Sequence, residues 1–294
     1  MRLAPGPPAV GARTVAVAGI ARPHPAACES THTKTASTGG RRPTGPAGGG
    51  GGRRAEPQPR PPPWQSGDMS ANTTLDVVTV FLGDGGTGGN RLGVFLDPPD
   101  LAVADRRRIA ADLGFAETVF LGQADGRLHI HTPAVELPLA GHPLVGTSWL
   151  LAQRGSPTEV LNPPAGPVPT WTEGERVWIR ADPDLAPVFE TRQMSSPAEV
   201  DALAGGEPGV DLHVWAWEDE AAGRVRVRVF PHEMGIGEDE ATGAAALRLG
   251  RRLGRELTVR QGMGSRIDVR PGPDGTVEVG GRCAHLETRE YPLP

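Results

Sequence analysis

The sequence predicts an α+β fold of two similar lobes, each a run of strands followed by a loop and a buried helix. Three observations predict it. The stretch 137–151, LPLAGHPLVGTSWLL, closes an acidic extended run and opens an almost wholly apolar helix at Gly141-His142-Pro143. The stretch 237–250, GEDEATGAAALRLG, repeats that design: Glu136 precedes Gly141 by five residues, as Glu238 precedes Gly243. The helices so opened stop at Gly155 and Gly254. Strands precede the helix in both halves, as expected of duplicated lobes facing each other across a cleft.

Composition divides the 294 residues unevenly. Residues 1–68 hold nine basic and three acidic residues, which leaves 21 basic and 32 acidic in the remainder. The net charge of −5 therefore hides a basic tail on an acidic body. Such a body has no positive stripe to displace phosphate counterions, which argues against nucleic acid as a partner. Cys28 and Cys283 are the two cysteines, and neither has a CxxC partner. They exclude a disulfide framework and a cysteine-rich zinc site, and fit a cytoplasmic chain. No apolar run approaches the roughly 18 residues that span a bilayer, and residues 14–20 are too short for a signal core. Residues 1–72, rich in Pro and Gly, cannot bury enough apolar surface to offset backbone ordering, so a disordered tail is expected there. A tail without a role is favoured over a basic arm or a targeting segment, and Met69 is a candidate native start. The lobes are expected over 73–186 and 187–294.

Taken in order, residues 75–82 (LDVVTVFL) are β-branched and apolar, a strand. Residues 83–90 (GDGGTGGN) form a glycine-rich turn that lacks a GK[ST] ending and leads into a second strand at 92–96, so it is no phosphate cradle. A helix starting at Asp100 or just after it runs to Leu113, with Gly114 as its stop. Strands follow at 115–121 and 127–132. Pro143 suits the first position of the next helix, which makes His142 its N-cap. The segment 154–186 is Pro-rich with one strand at 176–180. Ser196-Pro197-Ala198-Glu199 reads as a capping box for a short helix ending at Gly205. Paired strands at 212–217 and 225–230 enclose a turn, and after the second glycine-opened helix come strands at 257–261, 265–270 and 276–279.

Glu117 sits among Phe115, Val119 and Phe120. Facing a cleft between lobes it would serve as a base near neutral pH; the competing reading is a solvent-facing Glu on a half-buried strand. His142 reads equally as a substrate ligand or as a helix cap. The first-turn amides at Gly141 and Gly243 suit an anion such as a carboxylate, and the simpler alternative is loop punctuation. Helix-dipole complementarity alone explains one or two of Glu238, Asp239 and Glu240. His129 and His131 alternate on a strand without further ligands at metal spacing, so no metal site is expected.

These stretches together resemble the PhzF (phenazine-biosynthesis) isomerase-like family, of the diaminopimelate-epimerase-like fold. The resemblance lies in VTVFLGDGGTGGNRLGVFLD, LGFAETVFL, HTPAVELPLAGHPLVGTSWLL, GIGEDEATGAAALRLG, VRQGMGSRIDV and VEVGGRC. AGHPxxGT followed by GxxEDxATG is the specific pair. It implies two pseudo-symmetric lobes, each a barrel-like, mostly antiparallel sheet around a central helix, a homodimer, and no cofactor. It also implies Glu117, in the ETVF run, as the residue that moves a proton, with His142 and Asp239 beside it. Gly141, Gly243, Ala244 and Asn90 are implied at the substrate.

The chain departs from the family pattern at three positions. Ala244 stands where the family has serine, Glu240 where it has the proline of EDPATG, and Arg91 where it has the proline of GNP. Neither helix start carries a cysteine, which excludes a two-thiol racemase mechanism. The expected function is a cofactor-independent isomerase of a small carboxylate-bearing metabolite. The alternatives are a non-catalytic binding protein with the same cleft and a single-base epimerase.

Overall fold

The computed structural model describes residues 72–294, so the expectations placed on residues 1–71 lie outside the described residues. The elements in chain order are β1 (Asn72–Leu82), β2 (Asn90–Leu96), α1 (Val103–Leu113), β3 (Glu117–Gly122), β4 (Arg127–His131), β5 (Glu136–Leu137) and α2 (Gly141–Gln153). Then come β6 (Val160–Leu161), β7 (Val168–Glu173), β8 (Arg176–Ala181), β9 (Glu190–Gln193), α3 (Pro197–Asp201), β10 (Asp211–Asp219) and β11 (Arg224–Pro231). The chain closes with α4 (Gly243–Leu253), β12 (Leu257–Gln261), β13 (Ser265–Pro271) and β14 (Val277–Pro292).

From Leu75 to Phe81 every residue of β1 is buried, which is why its apolar run shows no alternation. The strand lies mid-sheet in the order β5-β4-β3-β2-β1-β14-β13-β12-β11-β10-β9, with β8 also on β14 and the β6–β7 ribbon beyond it. Among the described strands, β2–β3, β9–β10 and β11–β12 are parallel and the other ladders antiparallel. The sheet curls into a half-barrel. β14 joins its two parts: residues 277–281 pair with β8 and β13, and residues 282–292 pair with β1.

The two glycine-opened helices fill the concave sides. α2 is buried along most of its length and packs on β1, β2, β3, β7, β8 and β14. α4 is amphipathic; it buries Gly243–Leu247, Leu249 and Gly250 against β13 and β14 and leaves its arginines outward. Gly146 of α2 lets the helix approach the sheet, since a Cβ there would lie 2.6 Å from methyls of Leu92 and Val80. No helix among the described residues is long and apolar enough to cross a membrane.

Several expectations need correction. α1 begins at Val103, three residues after Asp100, with extended Ala102 as its N-cap. Asn72, placed with the tail, opens β1. The N-cap of α2 is Ala140, in extended conformation, so His142 is the second helical residue and caps nothing. α3 is capped as expected, with Ser196 Oγ accepting from Glu199 N at 3.3 Å, but it ends at Asp201 and not at Gly205. The strand expected at 276–279 continues to Pro292. Its outer half is largely exposed, so no apolar alternation marks it, and backbone pairing with β1 carries it. β7 and β9 are also absent from the sequence expectation: β7 buries only Val168 and Thr170, one of them polar, and β9 buries none of its residues.

Two buried histidines are expected to make the fold acid-sensitive. Burial pushes His131 down to about 4, with Glu136 opposing, and burial pushes His213 down to about 4 as well. The unfolded chain therefore takes up protons first as pH falls. Each ring contributes stability that is fully present above about pH 6.5 and lost as pH drops toward 4, on the order of 3 kcal/mol apiece. The melting temperature is expected to fall steeply between pH 6.5 and 4.5, and His213→Leu to flatten part of that decline. A melting temperature independent of pH across this window would refute the assignment.

Candidate active site

Glu117 is the first residue of β3, set opposite Leu92 by the parallel β2–β3 ladder. Its carboxylate is buried and lies 2.8 Å from His142 Nδ1, which belongs to the first turn of α2. With Glu117 ionised, Nδ1 must donate; the other ring nitrogen then accepts if the ring is neutral and donates if it carries a second proton. That Nε2 atom is buried without a hydrogen-bond partner. Phe81 packs against the ring at 6.4 Å between centroids. It is held at φ 66° where β1 bulges against β14, an unusual conformation for an aromatic residue adjoining a site.

Asp239 approaches from the other helix start. Its amide donates to Val229 O at 2.9 Å, a single bridge that turns the chain inward before α4. Asn90 Nδ2 donates to Oδ1 and Thr242 Oγ1 to Oδ2, both at 2.6 Å. Burial pushes the Asp239 carboxyl well above the ordinary carboxylate range, and the negative charge of Glu117 pushes it further; the bonds from Thr242 and Asn90 work against both. Asp239 thus keeps its proton at pH values where an exposed aspartate has lost it. Gln261 completes the support: Nε2 donates to Asp239 O at 2.8 Å and to Thr242 Oγ1 at 2.9 Å, and Oε1 accepts from Thr242 N at 3.1 Å.

The two helix starts meet. A Cβ built on Gly243 would lie 2.8 Å from Gly141 Cα and from His142 N. Neither helix carries a capping side chain, so first-turn amides are left for the cleft. Glu117, His142, Asp239, Gly141, Gly243 and Ala244 all line one enclosed space, together with Leu137, Pro187, Phe189, Met234 and Ile236. This space measures about 10 Å³, room for about one water molecule. The cleft is closed, its wall is apolar apart from the acids, the imidazole and Thr242, and it holds no Lys or Arg.

All seven residues singled out from the sequence thus fall in or beside this site; Asn90 stands behind Asp239 and does not line the space. Gln261 and the apolar wall were not singled out. Gln261 lay within the matching stretch VRQGMGSRIDV, whose polar residue on a buried strand was a usable signal. Among the described residues no group of three or more His, Cys, Asp or Glu side chains could hold a metal ion. Cys283, on β14 opposite Val80, is not among the residues lining this space, and burial pushes its thiol far up.

A family model described as phenazine biosynthesis-like protein matches residues 78–214. The trans-2,3-dihydro-3-hydroxyanthranilate isomerase of Pseudomonas chlororaphis is 30% identical over 238 residues, which cover 65% of this chain and 82% of that one. The chain belongs to the phenazine biosynthesis-like family. It is an enzyme of the isomerase class. The isomerase of the same name from Pseudomonas fluorescens is 29% identical over 220 residues, 59% of this chain and 77% of the relative. Among solved structures, a predicted epimerase from Pseudomonas aeruginosa is similar with a TM-score of 0.59 at 22% identity, covering 74% of this chain and 99% of that one. A probable proline racemase from Agrobacterium radiobacter is similar with a TM-score of 0.51 at 13% identity, covering 76% and 93%. These likenesses show the fold that this chain has in common with those two structures.

Proposed function

We propose that this family member is a cofactor-independent isomerase that moves a proton between two carbons of a small carboxylate-bearing metabolite, with Glu117 as the acid and base. The observation that carries the reading is the buried Glu117–His142 pair at 2.8 Å, facing an enclosed space beneath two abutting helix N-termini. The substrate carboxylate docks on the first-turn amides, where the helix dipoles favour negative charge. Glu117 removes a proton from a carbon next to a double bond. The C–H electron pair becomes a new double bond, and the pair of the old one takes the proton back from Glu117 at the far carbon. His142 Nε2 accepts a hydrogen bond from a substrate O–H or N–H, and Asp239 donates its retained proton to a polar substituent. The closed cleft must open to admit the substrate, and closing around it excludes water, which keeps the proton on Glu117 between the two transfers.

The first substrate to try is the dihydro-hydroxyanthranilate of the relatives' names. In D2O, turnover is expected with partial retention of the transferred hydrogen. Absence of both turnover and deuterium uptake across a panel of unsaturated carboxylates would refute the isomerase chemistry and favour a binding protein. The raised Asp239 carboxyl gives a pH signature: its proton is lost as pH rises, so kcat falls on the alkaline side. Asp239→Asn cannot titrate, and its residual activity is expected to lack that limb; an unchanged alkaline limb would remove Asp239 from the mechanism. A second reading, epimerisation at one carbon, is favoured by the same proton on Asp239, which with ionised Glu117 supplies one acid and one base. Inversion of a chiral substrate without double-bond migration would select it.

A further inference from the structure

The three consecutive acids before α4 face three ways. Glu238 forms a two-pronged pair with Arg228, Nε to Oε1 and Nη2 to Oε2 at 2.7 Å each. Asp239 turns into the site. Glu240 reaches across to the turn between β12 and β13, where its oxygens accept from Met263 N at 2.8 and 3.1 Å and from Ser265 Oγ at 2.7 Å. The fully buried Ser265 Oγ accepts in turn from Gly89 N at 2.7 Å. Gly89 immediately precedes Asn90, whose side chain holds Asp239 Oδ1 at 2.6 Å.

These bonds close a ring: Asp239, Glu240, Ser265, Gly89, Asn90 and back to Asp239. Three of its links are hydrogen bonds and two are the main chain itself, and two of the bonding side chains stand where only small neighbours admit them. A Cβ on Gly262 would lie 2.1 Å from the Glu240 carboxyl carbon, and one on Gly88 would lie 2.8 Å from Ser265 Oγ. A side chain without a carboxylate or amide oxygen at 240 would offer no acceptor for any of the three bonds. We infer that Glu240 is a positioning residue: its carboxylate ties the glycine-rich loop 83–90 to the β12–β13 turn and thereby holds Asn90 against Asp239. The inference rests on the role proposed above for Asp239.

The test uses the full chain carrying Glu240→Ala, Glu240→Gln, Ser265→Ala and the double variant Glu240→Ala/Ser265→Ala. Turnover of trans-2,3-dihydro-3-hydroxyanthranilate is read as a pH profile, and the Asn90 side-chain NH2 is followed by 15N NMR. Glu240→Ala is expected to lower kcat about tenfold, shift the alkaline limb and speed Asn90 NH2 exchange at least tenfold. Ser265→Ala is expected to reproduce this, and the double variant to be no worse than the poorer single one. Gln, which keeps one acceptor, is expected to recover part of the loss. Losses that add in the double variant, or a fall in kcat with Asn90 unmoved, would overturn the inference. Should the wild type fail to turn over the probe, the isomerase reading is at fault and the Asn90 exchange decides alone: faster in the variants supports the tie, unchanged refutes it. Should Glu240→Ala not fold, Glu240→Gln and Ser265→Ala carry the same comparison.

Discussion

Glu117→Gln is expected to lower kcat by about 10²–10⁴-fold, the range lost with a positioned acid–base group. The amide is nearly the same size as the carboxylate, and its oxygen can still accept from His142 Nδ1, so the 2.8 Å contact and the buried packing survive. What disappears is the ability to carry a proton. Ligand affinity is expected to stay within a few-fold and the melting temperature within a few degrees, because no cavity and no unpaired charge is created. Removing the negative charge also relieves one of the two causes that hold the Asp239 carboxyl high, so that group is expected to titrate lower in the variant. Kinetics, ligand titration and thermal melting on one preparation check all three. Full activity in Glu117→Gln would exclude the glutamate as the base.

Gly243→Ala is expected to damage stability and activity together. On helix propensity alone the change would favour the fold by about 0.8–1.0 kcal/mol. The new methyl would instead lie 2.8 Å from Gly141 Cα and His142 N and 3.0 Å from Gly141 C, all backbone atoms that cannot rotate away. The helix starts must part, at a net cost of about 1–3 kcal/mol for overpacking. The shift also displaces His142 and the anion-binding amides relative to Glu117, and a misplacement of about 1 Å costs on the order of 10²-fold in rate. Gly205→Ala, where no atom lies within 4 Å of the added carbon, is the matched control and is expected to be neutral. Wild-type melting and kinetics in Gly243→Ala would show that the helices are free to separate.

The positions of α2 and α4 were legible in the chain because each signal is local: a glycine, a run of small and leucine residues, and a terminal glycine within one helix length. The same holds for Glu117 and His142 as candidates, and for β10 and β11 flanking a short turn. β7, β9 and the outer half of β14 were not legible, since strands held mainly by backbone pairing with one exposed face leave little trace in side-chain pattern. His142 shows the limit within a single residue: proline two positions after glycine set the helix start within two residues, yet the ring's task depended on a carboxylate 25 positions earlier.

The site itself divides along that line. Residue types and spacing alone determined that two helix starts without cysteines and one candidate glutamate were present, and the resemblance of the motifs added Asp239. Tertiary structure decided that Gly141 abuts Gly243, that Asn90 holds Asp239 across 149 residues, and that Gln261 and Ser265 brace it. The physical reason is that burial and helix periodicity are properties of a short segment. A hydrogen bond's partner, and the charge that shifts a buried acid, come from whichever distant segment the fold brings within 3 Å.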